Sequence, residues 1–397
     1  MNNLLPSADL GHVSANRKTG DAAHRVLAES EFATARAEIT AWDGYAATPL
    51  VSLGALASAI GVGEVLYKDE GPRFGLGSFK ALGGSYAALR VLQRVISERL
   101  GQDVSLADVR GGKYAAECAA ITLVSATDGN HGRSLAWGCK RFGVPCRIYI
   151  HAEVSEGRAV AMQDLGAQVI RIEGDYDASV ALAKYEAEEN GWFVVSDTSW
   201  PGYSLPPRDV MAGYGVMTQE ICEALAQAPT HVFLQGGVGG LAAGVAAGLR
   251  QYYGDASPRV VIVEPDLAAC LFESGKSGNA TNVKIDEETL MAGLSCGEPS
   301  PLAWEILQEE ASDFLTIPET LVTPCVRLLA APLDGDPIIE AGESAIAGLA
   351  ALIVARKDSV LSATLGLDAQ SRVLLIGSEG VTDRAIFNMI MEGRDAA

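Results

Sequence analysis

His231-Val232-Phe233-Leu234-Gln235-Gly236-Gly237-Val238-Gly239-Gly240-Leu241 is a short apolar run that breaks into a glycine-rich turn and resumes as an alanine-rich stretch. The apolar run reads as a buried strand, and the alanine-rich stretch reads as a helix opening at Leu241. Amides at a helix start have no partner inside the helix, and they face whatever lies in front of it. Glycines keep side chains out of the way, so this turn is an anion site suited to a phosphate. The same grammar recurs upstream. The β-like run 121–124 leads into Ser125-Ala126-Thr127-Asp128-Gly129-Asn130-His131-Gly132, which opens a helix over 133–142. This second turn suits a carboxylate together with a ring hydroxyl, and Asn130 offers its amide.

Working outward, apolar runs at 65–70, 146–150, 168–172, 192–195, 259–263 and 372–376 alternate with amphipathic stretches at 155–165, 177–189, 211–226 and 343–356. Strands that alternate with helices and are apolar throughout belong to parallel sheets covered on both faces. The fold class is therefore α/β, with mainly parallel, doubly wound sheets. The polar stretch 101–113 reads as an exposed excursion, and roughly the first 20 residues and the last few are expected to fray.

Lys80 lies in Gly77-Ser78-Phe79-Lys80-Ala81-Leu82-Gly83-Gly84, between the run 65–70 and an apolar helical stretch. Burying an ammonium without a partner is costly, so a lysine in this setting is expected to shed its charge. A neutral lysine is a nucleophile, and Schiff-base chemistry with an aldehyde cofactor is a common use of one. The bland alternative is a lysine snorkelling from the edge of the core. Lysine, phosphate cradle and carboxylate cradle together describe pyridoxal phosphate bound to an amino acid.

These three segments, in this order, resemble the fold-type II pyridoxal-phosphate enzymes, the group of serine and threonine dehydratases and tryptophan synthase β subunits. Asp128 stands where that group commonly has a small residue. With Ser196-Asp197-Thr198-Ser199-Trp200-Pro201-Gly202-Tyr203 and the run Met-Ala-Gly-Leu-Ser-Cys-Gly-Glu-Pro at 291–299, this variant resembles the diaminopropionate ammonia-lyases. The resemblance spans roughly residues 40 to 390. It implies two sheets, with a large domain of residues 1–85 and 206–397, a small mobile domain of 86–205, and a homodimer. The stretch 201–207 is the one plausible crossing point that the chain itself offers.

The same resemblance implies the site. Lys80 carries the cofactor, with Phe79 beside it. Gly236, Gly237, Val238, Gly239 and Gly240 hold the phosphate, while Asn130 and Ser378 contact the ring. Ser125, Thr127, Asp128, Gly129 and His131 surround the substrate. Asp128 and Asp197 join Lys80 as catalytic groups, although either aspartate also reads as a turn cap. His131 reads as loop-shaping rather than as a base, and Ser378 equally as a strand-end turn or a helix cap. The implied reaction is α,β-elimination of D- and L-2,3-diaminopropionate to pyruvate and two ammonia. The alternative substrates are serine, threonine or another β-substituted alanine.

Two rival readings belong to other classes. Gly237-x-Gly239-x-x-Ala242 fits the dinucleotide fingerprint, and Glu264 follows the next strand as the acid for a ribose hydroxyl, which describes an NAD-dependent oxidoreductase. That reading leaves Lys80 and the Asp128 turn without a role. An amino-acid sensor on an enzyme fold is the other, but such a binder has no use for both the lysine and the phosphate loop.

The chain has 397 residues, enough for two domains, and a net charge of −20, which disfavours nucleic acid and anionic membranes as partners. No apolar run has the length of a membrane span, and the N-terminus lacks the pattern of a signal peptide, so a cytoplasmic location is expected. The seven cysteines show no ligand spacing, and no metal site is expected. Cys270 and Cys296 flank a polar insert, and the resemblance shares cysteines in both contexts. A bridge between them and two free thiols both stay open.

Overall fold

The computed structural model describes residues 4–16, 18, 20–127 and 129–393. The chain divides into two compact units, Met1–Glu29 with Ala47–Ser78 and Met217–Ala397, and Ser30–Ala46 with Phe79–Val216.

Among the described residues the larger unit is built on a seven-stranded sheet. Its strands are β1 (Gly11–Ser14), β2 (Leu50–Ser52), β3 (Glu64–Asp69), β8 (His231–Gln235), β9 (Arg259–Pro265), β10 (Ala311–Ile317) and β11 (Arg372–Gly377). Their order is β1-β10-β9-β8-β11-β3-β2. The five inner strands run parallel, and only β1 and β2 at the edges are antiparallel. Val232, Phe233, Leu234, Val373 and Leu374 are fully buried, as a central parallel strand covered on both faces requires.

The smaller unit carries β4 (Leu123–Ala126), β5 (Cys146–Ile150), β6 (Gln168–Arg171) and β7 (Phe193–Val194), in the all-parallel order β6-β5-β4-β7. Two of its helices, Lys80–Leu100 and Asn130–Phe142, meet through small residues. A Cβ on Gly138 would stand 2.8 Å from Ser85 Cα. Ser85 Oγ donates to the Ser134 carbonyl at 2.7 Å, and the Ser85 amide donates to Ser134 Oγ at 3.0 Å. This close, polar-stitched contact fixes the helix that begins with Lys80.

Three expectations need correction. The first ~20 residues are not frayed throughout, because β1 pairs with β10. Buried Asp313 anchors it, meeting His12 Nε2 at 3.0 Å and Arg259 Nε at 2.6 Å. The stretch 101–113 is more than a loop: it contains the helix Leu106–Arg110, capped by Ser105, and buries Val104 and Val109. The helix expected over 211–226 begins earlier, at Leu205–Ala224, because Pro206 and Pro207 occupy its first turn, where a missing N–H costs nothing.

A buried charge cluster follows β3. Lys68 Nζ donates to Glu220 Oε2 at 2.6 Å and to the Thr48 carbonyl at 2.8 Å. Arg73 reaches Glu70 through Nε at 2.8 Å and Glu220 through Nη1 at 2.8 Å. All four charged side chains are at most 7% exposed, so two cations and two anions balance out of water. The cluster pins the turn through Phe74, a non-glycine residue at φ 51°, that leads to Gly77 and Ser78. Arg73→Met leaves two buried carboxylates facing one lysine and should destabilise the fold by about 3–5 kcal/mol, read by denaturant unfolding. A loss below about 1 kcal/mol, typical of exposed pairs, would contradict this account.

Candidate active site

The glycine turn of the larger unit joins β8 to the helix Gly240–Tyr253. Gly237 has φ +64° and Gly239 φ +95°, a region that L side chains avoid. At Gly236 the constraint is space, because a Cβ there would stand 2.3 Å from Glu264 Cγ. The turn is further held by the Ser300 amide, which donates to the Val238 carbonyl at 2.9 Å. Ser378, buried, lies one residue past β11, the strand beside β8, so it shares the carboxyl end of the sheet with the glycine turn. Next to it Ser78 pairs with Glu379, and the Gly380 amide donates to the Gly77 carbonyl at 2.9 Å. Lys80 follows Ser78 by two positions in the chain.

Glu264, the acid of the dinucleotide reading, faces inward. Its carboxylate accepts the Leu271 and Phe272 amides at 3.2 and 2.7 Å, at the start of the helix Cys270–Ser277. Burial pushes it up to about 8 despite those bonds. A fully buried acid capping a helix has nothing to offer a ribose. Cys270 and Cys296 stand as thiols, and Cys270 Sγ lies 3.4 Å from the Gly237 carbonyl. Burial, with Glu264 next, raises the Cys270 thiol far above its ordinary range.

In the smaller unit Lys80 heads the helix Lys80–Leu100, and its Nζ is ion-paired with Asp197 Oδ2. The expected shedding of charge is thus replaced by pairing: Lys80 is 19% and Asp197 18% exposed, and the carboxylate offsets the desolvation of the ammonium. Burial tends to raise the Asp197 carboxyl, but the charge of Lys80, with its hydrogen bond, outweighs it and holds the group well below the usual carboxylate range. Capping of the turn falls to Ser196, whose Oγ accepts the Thr198 amide at 3.2 Å, while the Asp197 carboxylate meets Lys80. Phe79 packs on Tyr214 with ring centroids 4.7 Å apart.

The carboxylate turn follows β4. Ser125 is fully buried, and its hydroxyl has no hydrogen-bond partner among the described residues. Thr127 Oγ1 accepts the Gly129 amide at 3.3 Å, and Asn130 and His131 open the helix Asn130–Phe142. Asp128 lies outside the described residues.

Two tyrosines were missed from sequence. The Tyr203 hydroxyl donates to the Val194 carbonyl and accepts the Ser196 amide, both at 2.9 Å, which locks the segment carrying Asp197. Tyr214 fills a notch left by Gly83, where a Cβ would stand 2.5 Å from its ring, and its buried hydroxyl is unpartnered among the described residues. Tyr203 ends the quoted 196–203 motif, but its role depends on a fold-back that spacing does not reveal. Tyr214 gave no signal beyond lying on a helix.

A family described as "Pyridoxal-phosphate dependent enzyme" matches residues 41–376. This chain belongs to that family. The diaminopropionate ammonia-lyase of Escherichia coli (strain K12) is 38% identical over 360 residues, 89% of each chain, which places the chain among the diaminopropionate ammonia-lyases of the family. The crystal structure of the Escherichia coli diaminopropionate ammonia lyase in complex with D-serine superposes with a TM-score of 0.88 at 35% identity, covering 98% of this chain and 99% of that one. The structure of the same enzyme in complex with an aminoacrylate-PLP azomethine reaction intermediate gives 0.86 at 34% identity, over 98% and 99%.

The residues present fit the family's cofactor, pyridoxal phosphate. The glycine turn is closed to side chains at Gly236, and the Ser125 hydroxyl is a buried group in want of a partner. Lys80 is positioned at a helix head with its charge balanced. Among the described residues no helix is long and apolar enough to cross a membrane.

Proposed function

We propose that this chain, a carbon–nitrogen lyase, removes both amino groups of D- and L-2,3-diaminopropionate by α,β-elimination, giving pyruvate and two ammonia. The observation that carries this reading is the Lys80–Asp197 pair, a base and a carboxylate held on neighbouring segments of one unit. Pyridoxal phosphate, when bound, supplies an electron sink for the pair left at Cα as its proton is removed. Lys80 anchors that cofactor and is the base for the L-isomer, while Phe79 flanks it. The amides of residues 236–240 would hold the phosphate, and Ser378 would offer the ring a neutral hydroxyl, which favours elimination over transamination. The turn 125–131 binds the substrate carboxylate, and Asn130 orients the ring. Asp197 holds the β-ammonium, so that the C–N electron pair departs with ammonia as the Cα pair forms the double bond. The released enamine is hydrolysed in water to pyruvate and the second ammonia.

The deciding experiment offers D- and L-diaminopropionate, L-serine and L-threonine separately and reads pyruvate or 2-oxobutyrate. Faster turnover of both diaminopropionate isomers than of either hydroxy amino acid is expected, and the reverse order would make the chain a dehydratase. One base cannot serve both faces of Cα, and Asp128 is assigned the D-isomer from its place in the carboxylate turn. Asp128→Asn should therefore lower D turnover by about 10²–10⁴ while leaving most L turnover. Equal loss on both isomers would remove that assignment. We also propose that the enzyme is a cytoplasmic homodimer; light scattering of the purified chain tests the dimer.

A further inference from the structure

His131 is held in one tautomer. Its Nε2 lies 2.9 Å from the Val195 carbonyl oxygen, which can only accept, so Nε2 carries the proton and Nδ1 presents a lone pair. That Nδ1 is buried and hydrogen-bonds nothing among the described residues. It lies 3.9 Å from Asp197 Oδ2, the same oxygen that meets Lys80 Nζ. Gly84 lets the helix of Lys80 close on the helix of His131 here, since a Cβ at that position would stand 2.7 Å from Ser134 Oγ and in contact with Nδ1 at 3.4 Å. Gly84 lies four positions after Lys80, one turn along the same helix face. A lone pair turned towards a carboxylate is repulsive until a proton sits on one of them.

Among the described residues Lys80 and Asp197 are the charged groups that act on His131 from the two segments packed against it. Burial lowers the basicity of the imidazole most, Asp197 raises it, and the Lys80 charge lowers it again. While Lys80 is an ammonium, its charge and the burial both disfavour a proton on Nδ1. Once Lys80 loses its proton, only the anion faces Nδ1.

We propose that Lys80 and His131 share a single proton across the Asp197 carboxylate, His131 storing it whenever Lys80 acts as a neutral amine. An N–H bond on Nζ breaks and one on Nδ1 forms, with Asp197 Oδ2 as the bridge. The net charge of the three groups is unchanged, and no electrons move. His131 is thereby a positioning residue that keeps the base uncharged without discarding its proton to solvent. Its catalytic meaning rests on Lys80 being the base of the proposed elimination, but proton sharing itself does not.

The test is histidine-selective ¹⁵N NMR of the full-length chain without cofactor, with the His131 signal assigned by its loss in His131→Gln. In the wild type His131 should stay neutral through the neutral range. In Lys80→Met its protonation constant should rise at least about tenfold, as expected for removing a nearby like charge. In Lys80→Met with Asp197→Asn the gain should vanish. Lys80→Gln serves if the methionine variant does not fold. An unchanged titration on neutralising Lys80 overturns the proposal, whatever the turnover. A shifted titration in a chain inactive on every amino acid tested upholds proton sharing and overturns the functional reading instead. In the active enzyme His131→Gln should lower kcat more than tenfold with KM and cofactor content held within about twofold, a split that lost packing alone would not give.

Discussion

Lys80→Ala is expected to lower pyruvate formation from either isomer of diaminopropionate by about 10⁴ or more, the upper end of the loss of one proton-transfer group. Sodium borohydride should no longer fix a chromophore to the chain. The loss is larger than for an ordinary base because the residue has two duties, anchoring the cofactor and taking the α-proton. The fold should survive. Lys80 opens its helix without a side-chain cap, and the helix is held by the Ser85–Ser134 contacts one turn further on. What the variant disturbs is Asp197, which loses the first of the charges that hold its carboxyl low. Mass spectrometry after reduction reads the outcome, and a stoichiometric fixed adduct in Lys80→Ala would place the cofactor on another lysine.

Much of this arrangement was legible in the chain, because each strand–turn–helix unit announces itself locally. The run 146–150 became β5 without adjustment, and 231–234 became β8 extended by Gln235. The glycines at 237 and 239 are required by positive φ, a demand that composition exposes directly. The strands β1, β2 and β10 escaped notice for a different reason. β1 and β2 are edge strands of four and three residues, and β10 contains Ser312 and Asp313 where an apolar run was sought. Asp313 is buried there because His12 and Arg259 arrive from elsewhere in the sequence.

The site shows the same division. Lys80 and the glycine turn stand out by local pattern, Asp197 enters as a catalytic group through the family resemblance, and His131 reads only as loop-shaping. That Lys80 is paired rather than neutral was not legible, because its partner lies more than a hundred positions away. The Lys68–Glu70–Arg73–Glu220 cluster was invisible for the same reason. A lysine at the end of an apolar strand looks like an ordinary strand exit until Glu220 is brought against it.

The pairing gives Asp197 a role that discriminates between leaving groups. Because Lys80 holds its carboxyl below the ordinary range, Asp197 is an anion throughout the neutral region. The sign of the linkage follows: a carboxyl lowered on folding adds stability above its unfolded value, roughly pH 4, and that contribution is lost as pH falls through the lower folded value. Asp197 therefore sets no limb of activity between about pH 6 and 9. An anion suits a departing amine, which must stay protonated until the C–N bond breaks, and does little for a hydroxyl, which must instead receive a proton. Asp197→Asn keeps the shape and removes the charge. It should lower kcat on diaminopropionate by about 10²–10³, within the cost of losing one such group, while any turnover of serine falls at least about tenfold less. Measuring both substrates on one preparation makes the ratio independent of active-site concentration. Equal losses would mean that Asp197 acts by orienting Lys80 alone, and unchanged kinetics would leave it a structural partner of the lysine.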